Sequence, residues 1–398
     1  MDPGGSGADC VVPGVLVAPG IRSVRGTRKG PAILLALAIS LAVLLASTGC
    51  DGGANPGGYS RYSYEFYGTF DTVIQFLGYA QSAEAFETYG QQGEARFQEL
   101  HRLFNRYESY EGVNNIKTIN DNAGIAPVAV APEILDLLEM SREWSGKVGG
   151  VVDVTLGPVL EVWHRYREEG LADPAAARVP TRDELEEALS LTGLSDLVID
   201  REAGTVFLKR KGMSLDVGAM AKGVACAIVA RELREAGLDS VIVSSGSSVA
   251  VVGQPRDGIR TSFGIGIQNP DGNVNDEDEA SLDIIFVHDK SIGTSGDYQR
   301  YYTVEGVRYH HLVDPATLFP ADHVRAVTVL YPDAGIGDLL STALFLLPLA
   351  EGQALCRSIP GLEAVWVLKD GTLLATDGMK IRMKQLGGAT SQADYDAE

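Results

Sequence analysis

Apolar positions along this chain follow two rhythms, and the changes of rhythm mark its elements. Aromatic and β-branched residues crowd residues 62–79, which predicts an edge strand and a hairpin. Phe86, Phe97, Leu100 and Leu103 then recur at helical spacing across residues 83–103, with Gly90 and Gly93 leaving the start of that helix open. Residues 132–144 predict a second helix, with Pro132 in its first turn and Ile134, Leu137, Leu138 and Met140 as its apolar positions. Residues 180–191 predict a third, N-capped by Thr181 and acidic in its first turn. After Asp196 the pattern turns to strands: residues 197–200 and 205–208 form a hairpin around Glu202-Ala203-Gly204, and 240–244, 263–267, 284–288 and 326–330 follow. An Ala-rich helix over 219–236 and a helix over 337–347, closed by Pro348, interrupt them. A last hairpin, 365–368 with 373–376, turns at Asp370-Gly371, and the small polar tail after Leu386 reads as frayed. Hairpins with interspersed helices predict an α+β fold of mostly antiparallel sheets with packed helices, not a doubly wound sheet.

The first fifty residues do not fit that pattern. Arg22, Arg25, Arg28 and Lys29 precede an apolar run over 32–46, whose 15 residues fall short of a membrane span, which needs ~20. Ser47-Thr48-Gly49-Cys50 follows, so the segment reads as a lipoprotein leader cleaved before Cys50; an uncleaved signal anchor is the alternative. The expected organisation is a leader over 1–49, a tether over 50–61, a catalytic domain over 62–386 and a disordered tail over 387–398. The expected location is extracytoplasmic, on a bacterial membrane through lipidated Cys50. Of the four cysteines, Cys10 lies in the leader; Cys226 and Cys356 read as buried thiols, with one bond between them as the alternative. The net charge of -20, with no basic stripe, argues against a nucleic-acid polymer as partner but leaves room for a single nucleotide. No CxxC or HExxH spacing points to zinc.

Five stretches carry candidate chemistry. In SLDVGAMAKG, Asp216 ends a strand and Lys222 enters a helix, which suits either a mutual ion pair or a phosphate site at the helix start. SGDY, ending at Tyr298 and followed by Arg300, delivers an acid and a ring from a small turn. YHHLVDP offers His310 and His311, of which a strand points only one into a given site. DLLST puts the Asp338 carboxylate and the Ser341 and Thr342 hydroxyls on one helix face; three hard oxygens suit Mg²⁺ or Ca²⁺, and an Asp N-cap with buried hydroxyls bonding back to the helix is the plainer alternative. VVDVTLGP reads as a strand with Asp153 and Thr155 on one face, or as a cap for the helix after it.

Singly these signals are weak, but their order is specific. With Tyr67-Gly68-Thr69 and the LFNRY of residues 103–107 before them, and SSGSS, TSGDYQR and YHHLVDPATLFP between, the series resembles the ApbE family of FAD:protein FMN transferases, from Tyr62 to Gly378. The resemblance implies an ApbE-like fold of two interleaved subdomains. It implies that FMN moves from FAD to a Ser or Thr hydroxyl of an acceptor protein, a subunit of a membrane redox complex, as AMP leaves. Asp216 and Lys222 would then bind FAD, and the Ala219 carbonyl with Asp338, Ser341 and Thr342 would hold Mg²⁺. Tyr67, Asp153, Val154, Thr155 and Leu312 would line the flavin or adenine pocket, Asn105 and Tyr107 would close over the flavin, and His311 would be the catalytic base. An FAD pyrophosphatase and a non-catalytic FAD-binding lipoprotein are the competing readings. The chain departs from the family at Tyr67 (commonly Met), Val152 (an aromatic), Ala227 (often Asp), SSGSS (a Gly-Gly-Asn type turn) and Leu318 (Gly in the DPxTGxP turn).

Overall fold

The computed structural model describes residues 10–12, 15–17, 22–25, 57–273, 276 and 279–396. The apolar run over 32–46, the cleavage junction and Cys50 lie outside them. At the centre is a nine-stranded sheet. From one edge it runs Leu373–Ala375, Glu363–Val367, Ala326–Tyr331, Ser291–Gly296, Ser248–Val252, Val241–Ser244, Thr72–Ala80, Ser60–Thr69 and Arg22–Arg25. Every pairing is antiparallel except that of Arg22–Arg25 with Ser60–Thr69. The predicted hairpin is therefore present, but its outer strand is covered by a segment that was expected to belong to the leader.

One face of this sheet carries helices Ala83–Phe104, Pro132–Lys147, Ala221–Glu235 and Ala334–Leu346 over the largest buried cluster, which includes Tyr64, Phe76, Phe97 and Phe345. The other face packs on the Phe263–Gln268 and Ser281–Val287 hairpin through Leu77, Ile242, Ile265 and Ile285. A third cluster, around Trp163, Tyr166, Tyr302 and Leu318, joins helix Gly157–Ala172 to the Tyr301–Val304 and Val307–His310 hairpin. The fold is thus α+β with antiparallel sheets. Among the described residues no helix is long and apolar enough to cross a membrane.

Several local expectations change. VVDVTLGP is not a strand: Asp153 caps a single 3-10 turn, Val154–Leu156, and accepts from Thr155 N and Oγ1 at 2.7 Å each. The capping alternative holds there. Ser295 and Gly296 end a central strand, not a turn, because Ser291–Gly296 is buried between two neighbours. Over its described residues the tail is not frayed. Ser391 O accepts from Thr261 N at 2.8 Å, and Asp396 meets Arg382, Lys290 and His288. Leu318 adopts φ 65°, so the loop keeps a left-handed turn without glycine. Its carbonyl accepts from Trp163 Nε1 at 2.9 Å, and its side chain is fully buried. Cys226 and Cys356 are free and buried.

Candidate active site

The loop before helix Ala221–Glu235 is held at both ends. Asn120 takes the backbone of Leu215 in a two-way amide bond, at 2.7 and 3.1 Å, and Asp216 N donates to Val154 O at 2.8 Å. Asp216 does not pair with Lys222. Its carboxylate accepts from Arg106 at 2.5 Å and from Gly218 N at 2.8 Å. Burial alone would raise its pKa, but the Arg106 charge and the Gly218 bond outweigh that and hold it below the ordinary value. Arg106 lies between the two predicted residues Asn105 and Tyr107 and also bonds Glu161 at 2.7 Å. Neither periodicity nor spacing could reveal it, because its partner is 110 positions away.

Lys222 turns instead toward Asp338, with Nζ 3.8 Å from Oδ2. Helix Ala334–Leu346 is capped by Asp333, whose side chain accepts from Ile336 N at 2.9 Å. Asp338 therefore sits inside the helix: the N-cap part of the alternative fails, while its other part, buried hydroxyls bonding back to the helix, holds. The Asp338 side chain is buried and accepts one backbone bond, from Gly223 N at 3.0 Å. Ser341 and Thr342 donate back to Asp338 O at 2.9 and 3.3 Å, so toward any other group their oxygens can only accept. Ser295 Oγ lies 2.9 Å from Ser341 Oγ and 3.1 Å from Thr342 Oγ1. A buried carboxylate with adjoining hydroxyl oxygens has the hard-donor chemistry of a Mg²⁺ or Ca²⁺ site. Gly223 sets the distance: a Cβ there would come 2.1 Å from Ala334 O, so only glycine lets the two helices meet at this point.

Both histidines line the cavity, because the strand ends at His310 and His311 lies beyond it, so strand alternation does not separate them. His310 is buried with both ring nitrogens engaged, Nε2 to Ala321 O at 2.8 Å and Nδ1 by Leu312 N at 3.2 Å. His311 places Nδ1 3.3 Å from Arg300 O. That contact assigns the hydrogen to Nδ1 and leaves the Nε2 lone pair free. Burial, then the charges of Arg300, His310 and Lys222, push its pKa from 6.5 down to about 3. The imidazole is neutral at physiological pH.

These groups share one cavity of about 1210 Å³, larger than the ~300–1,000 Å³ of ordinary small-ligand pockets. Asn105, Tyr107, Asp153, Val154, Asp216, Ala219, Lys222, His311, Leu312, Asp338 and Thr342 all line it. Three predicted residues do not. Tyr67 is 71% exposed on its strand, while Thr155 and Ser341 are fully buried behind the wall. Thr155 Oγ1 bonds Asp153 and accepts from Gly193 N at 2.9 Å, so it braces the turn. Asn105 is also a loop builder, since its Oδ1 accepts from Tyr107 N and Glu108 N at 2.7 and 2.9 Å. Arg106, Ser295, Tyr298 and Arg300 line the cavity without having been predicted to bind there.

A family model described as the ApbE family matches residues 70–366. The chain belongs to the ApbE family. A relative named FAD:protein FMN transferase from Treponema pallidum is 28% identical, over 90% of this chain and 98% of its own length. Another of that name, from Vibrio cholerae, is 30% identical over 67% of this chain and 77% of its own. The crystal structure of the ApbE protein from Thermotoga maritima superposes with a TM-score of 0.70 at 27% identity, covering 81% of this chain and 99% of that one. The ApbE architecture thus accounts for the antiparallel sheet and for the order of the cavity-lining motifs.

Proposed function

We propose that this ApbE chain is an FAD:protein FMN transferase that moves FMN from FAD to a Ser or Thr hydroxyl of an acceptor protein. One observation carries the reading: the Asp338–Thr342–Ser295 oxygens, Lys222 and the free His311 nitrogen converge in one cavity large enough for a dinucleotide. The acceptor oxygen attacks the phosphorus on the FMN side of the FAD pyrophosphate. A new P–O bond forms, the bridging P–O bond to AMP breaks, and AMP leaves with that electron pair. His311 Nε2 accepts the hydroxyl proton, while the Arg300 carbonyl holds the ring by its Nδ1 hydrogen. Lys222 places positive charge beside the phosphates, and Arg300 adds a second cation on the cavity wall. Asp338, Thr342 and the Ala219 carbonyl would hold Mg²⁺, which supplies charge neutralisation at the pyrophosphate oxygens. Asp216 keeps Arg106 and the Gly218 turn in place beneath the ligand.

The test is incubation with FAD, Mg²⁺ and an acceptor bearing a Ser/Thr flavinylation motif, followed by acceptor mass and free FMN. A mass gain equal to FMN supports transfer. Free FMN with unmodified acceptor means a pyrophosphatase, and no product at all means a binding protein. The basic flank, apolar run and Ser47–Cys50 junction support a further reading: an extracytoplasmic lipoprotein acting on a membrane redox subunit. Cys50→Ala should release the chain from the membrane fraction, and retention would overturn the anchor.

A further inference from the structure

A second hollow, of about 250 Å³, opens off the main cavity and shares Thr72, Ser247, Thr294, Tyr298 and Gln299 with it. Its character differs from the cavity it joins. The main cavity is walled by Arg106, Asp216, Lys222, Arg300 and Asp338, whereas the hollow is lined by hydroxyls, amides, glycines and Val73, with no charged side chain. Gly246 closes its floor at φ 71°, where a Cβ would come 2.7 Å from Thr72 Oγ1.

The hollow joins the main cavity at residues that neighbour both parts of the chemistry in sequence. Thr294 precedes Ser295, whose hydroxyl joins those of Ser341 and Thr342. Gln299 precedes Arg300, whose carbonyl fixes His311. A chain lying in the hollow therefore continues into the cavity that holds the carboxylate–hydroxyl cluster and the imidazole. Hydrogen-bonding capacity is left over for such a chain. Among the described residues the Ser247 and Tyr298 hydroxyls have no hydrogen-bond partner. Gln299 Nε2 donates to Gln268 Oε1 at 3.2 Å, which leaves each amide with a free group.

We infer that this groove seats the acceptor protein's segment around the modified hydroxyl, bound as an extended, uncharged stretch. The inference rests on the transfer reading above and adds to it where the acceptor docks and what chemistry it must present.

Gln268 lines the groove but not the main cavity, so it separates acceptor binding from FAD binding. A library of threonine-centred peptides with randomised flanks is treated with FAD and Mg²⁺, and labelled peptides are sequenced by mass spectrometry. Uncharged flanks should be enriched with the wild type, basic flanks with Gln268→Glu and acidic flanks with Gln268→Lys. For the best peptide, Gln268→Trp should raise KM about tenfold, the effect of losing roughly one good contact, with FAD affinity unchanged. Charged flanks selected by the wild type, an unaltered peptide KM in Gln268→Trp, or a loss of FAD affinity in that variant would each overturn the groove assignment. If the wild type labels no peptide and no acceptor protein, the transfer reading falls and this inference falls with it.

Discussion

Asp338 is a buried carboxylate whose nearest cation is Lys222, 3.8 Å away, and whose nearest donor is one backbone N–H. Asp338→Ala should lower FAD turnover about a thousandfold, the scale of several kcal/mol of lost charge stabilisation. Full activity in that variant would remove the metal assignment. His311 makes a different demand. Because its pKa in the free protein is pushed down to about 3, kcat/KM for FAD should show no acid limb near the ordinary imidazole value of 6.5. A limb there that disappears in His311→Asn would contradict the depressed pKa of the imidazole. Leu318 sets two effects against each other. Its left-handed backbone costs about 1–2 kcal/mol, while full burial of the side chain contributes about 1.5–3 kcal/mol and glycine adds chain entropy to the unfolded state. Burial wins, so Leu318→Gly should destabilise by about 1 kcal/mol in urea titrations. A gain in stability would show that the turn, not the packing, governs this site.

At the scale of elements, the meeting of helices Ala221–Glu235 and Ala334–Leu346 decides the site. Gly223→Ala must push the Ala334 carbonyl away and with it the Gly223 N–Asp338 bond. The expected cost is about 1–3 kcal/mol of stability together with a higher Mg²⁺ requirement for FAD turnover. Unchanged metal dependence would mean that the helix contact does not position Asp338. This scale also shows what the sequence could convey. Amphipathic helices such as Ala83–Phe104 and the capping box at Thr181 announce themselves, because half of each element faces water and its caps are local. Strand Ser248–Val252 does not, since every one of its positions is buried and no alternation survives. Within the site, DLLST and YHHLVDP were legible as short motifs. The Arg106–Asp216 pair and the Ser295 hydroxyl were not, because folding alone brings them to their partners. Thr155 and Tyr67 mislead for the opposite reason: each stands in a recognisable motif, but one braces a turn and the other faces solvent.

Over the whole molecule, two titratable groups on the cavity wall set a direction for acid stability. The folded pKa of His311 lies below its ordinary 6.5, so the unfolded chain binds the extra proton first as pH falls. Stability should therefore be retained above about pH 6.5 and decline toward pH 3. Asp216, held below its ordinary 3.8, adds a loss at the acid end of that window. Melting curves across this range should be flatter for His311→Asn than for the wild type, and identical slopes would sink the argument. One further consequence lies in the core. Cys226 is wholly shielded beneath helix Ala221–Glu235, 3.2 Å from Ser245 Oγ, and burial pushes its thiol up to about 12. It cannot react until the helix leaves the sheet. The chain therefore carries a built-in clock: the rate at which a thiol reagent captures Cys226 reports how often the helix beside Asp338 lifts away, without any label being introduced.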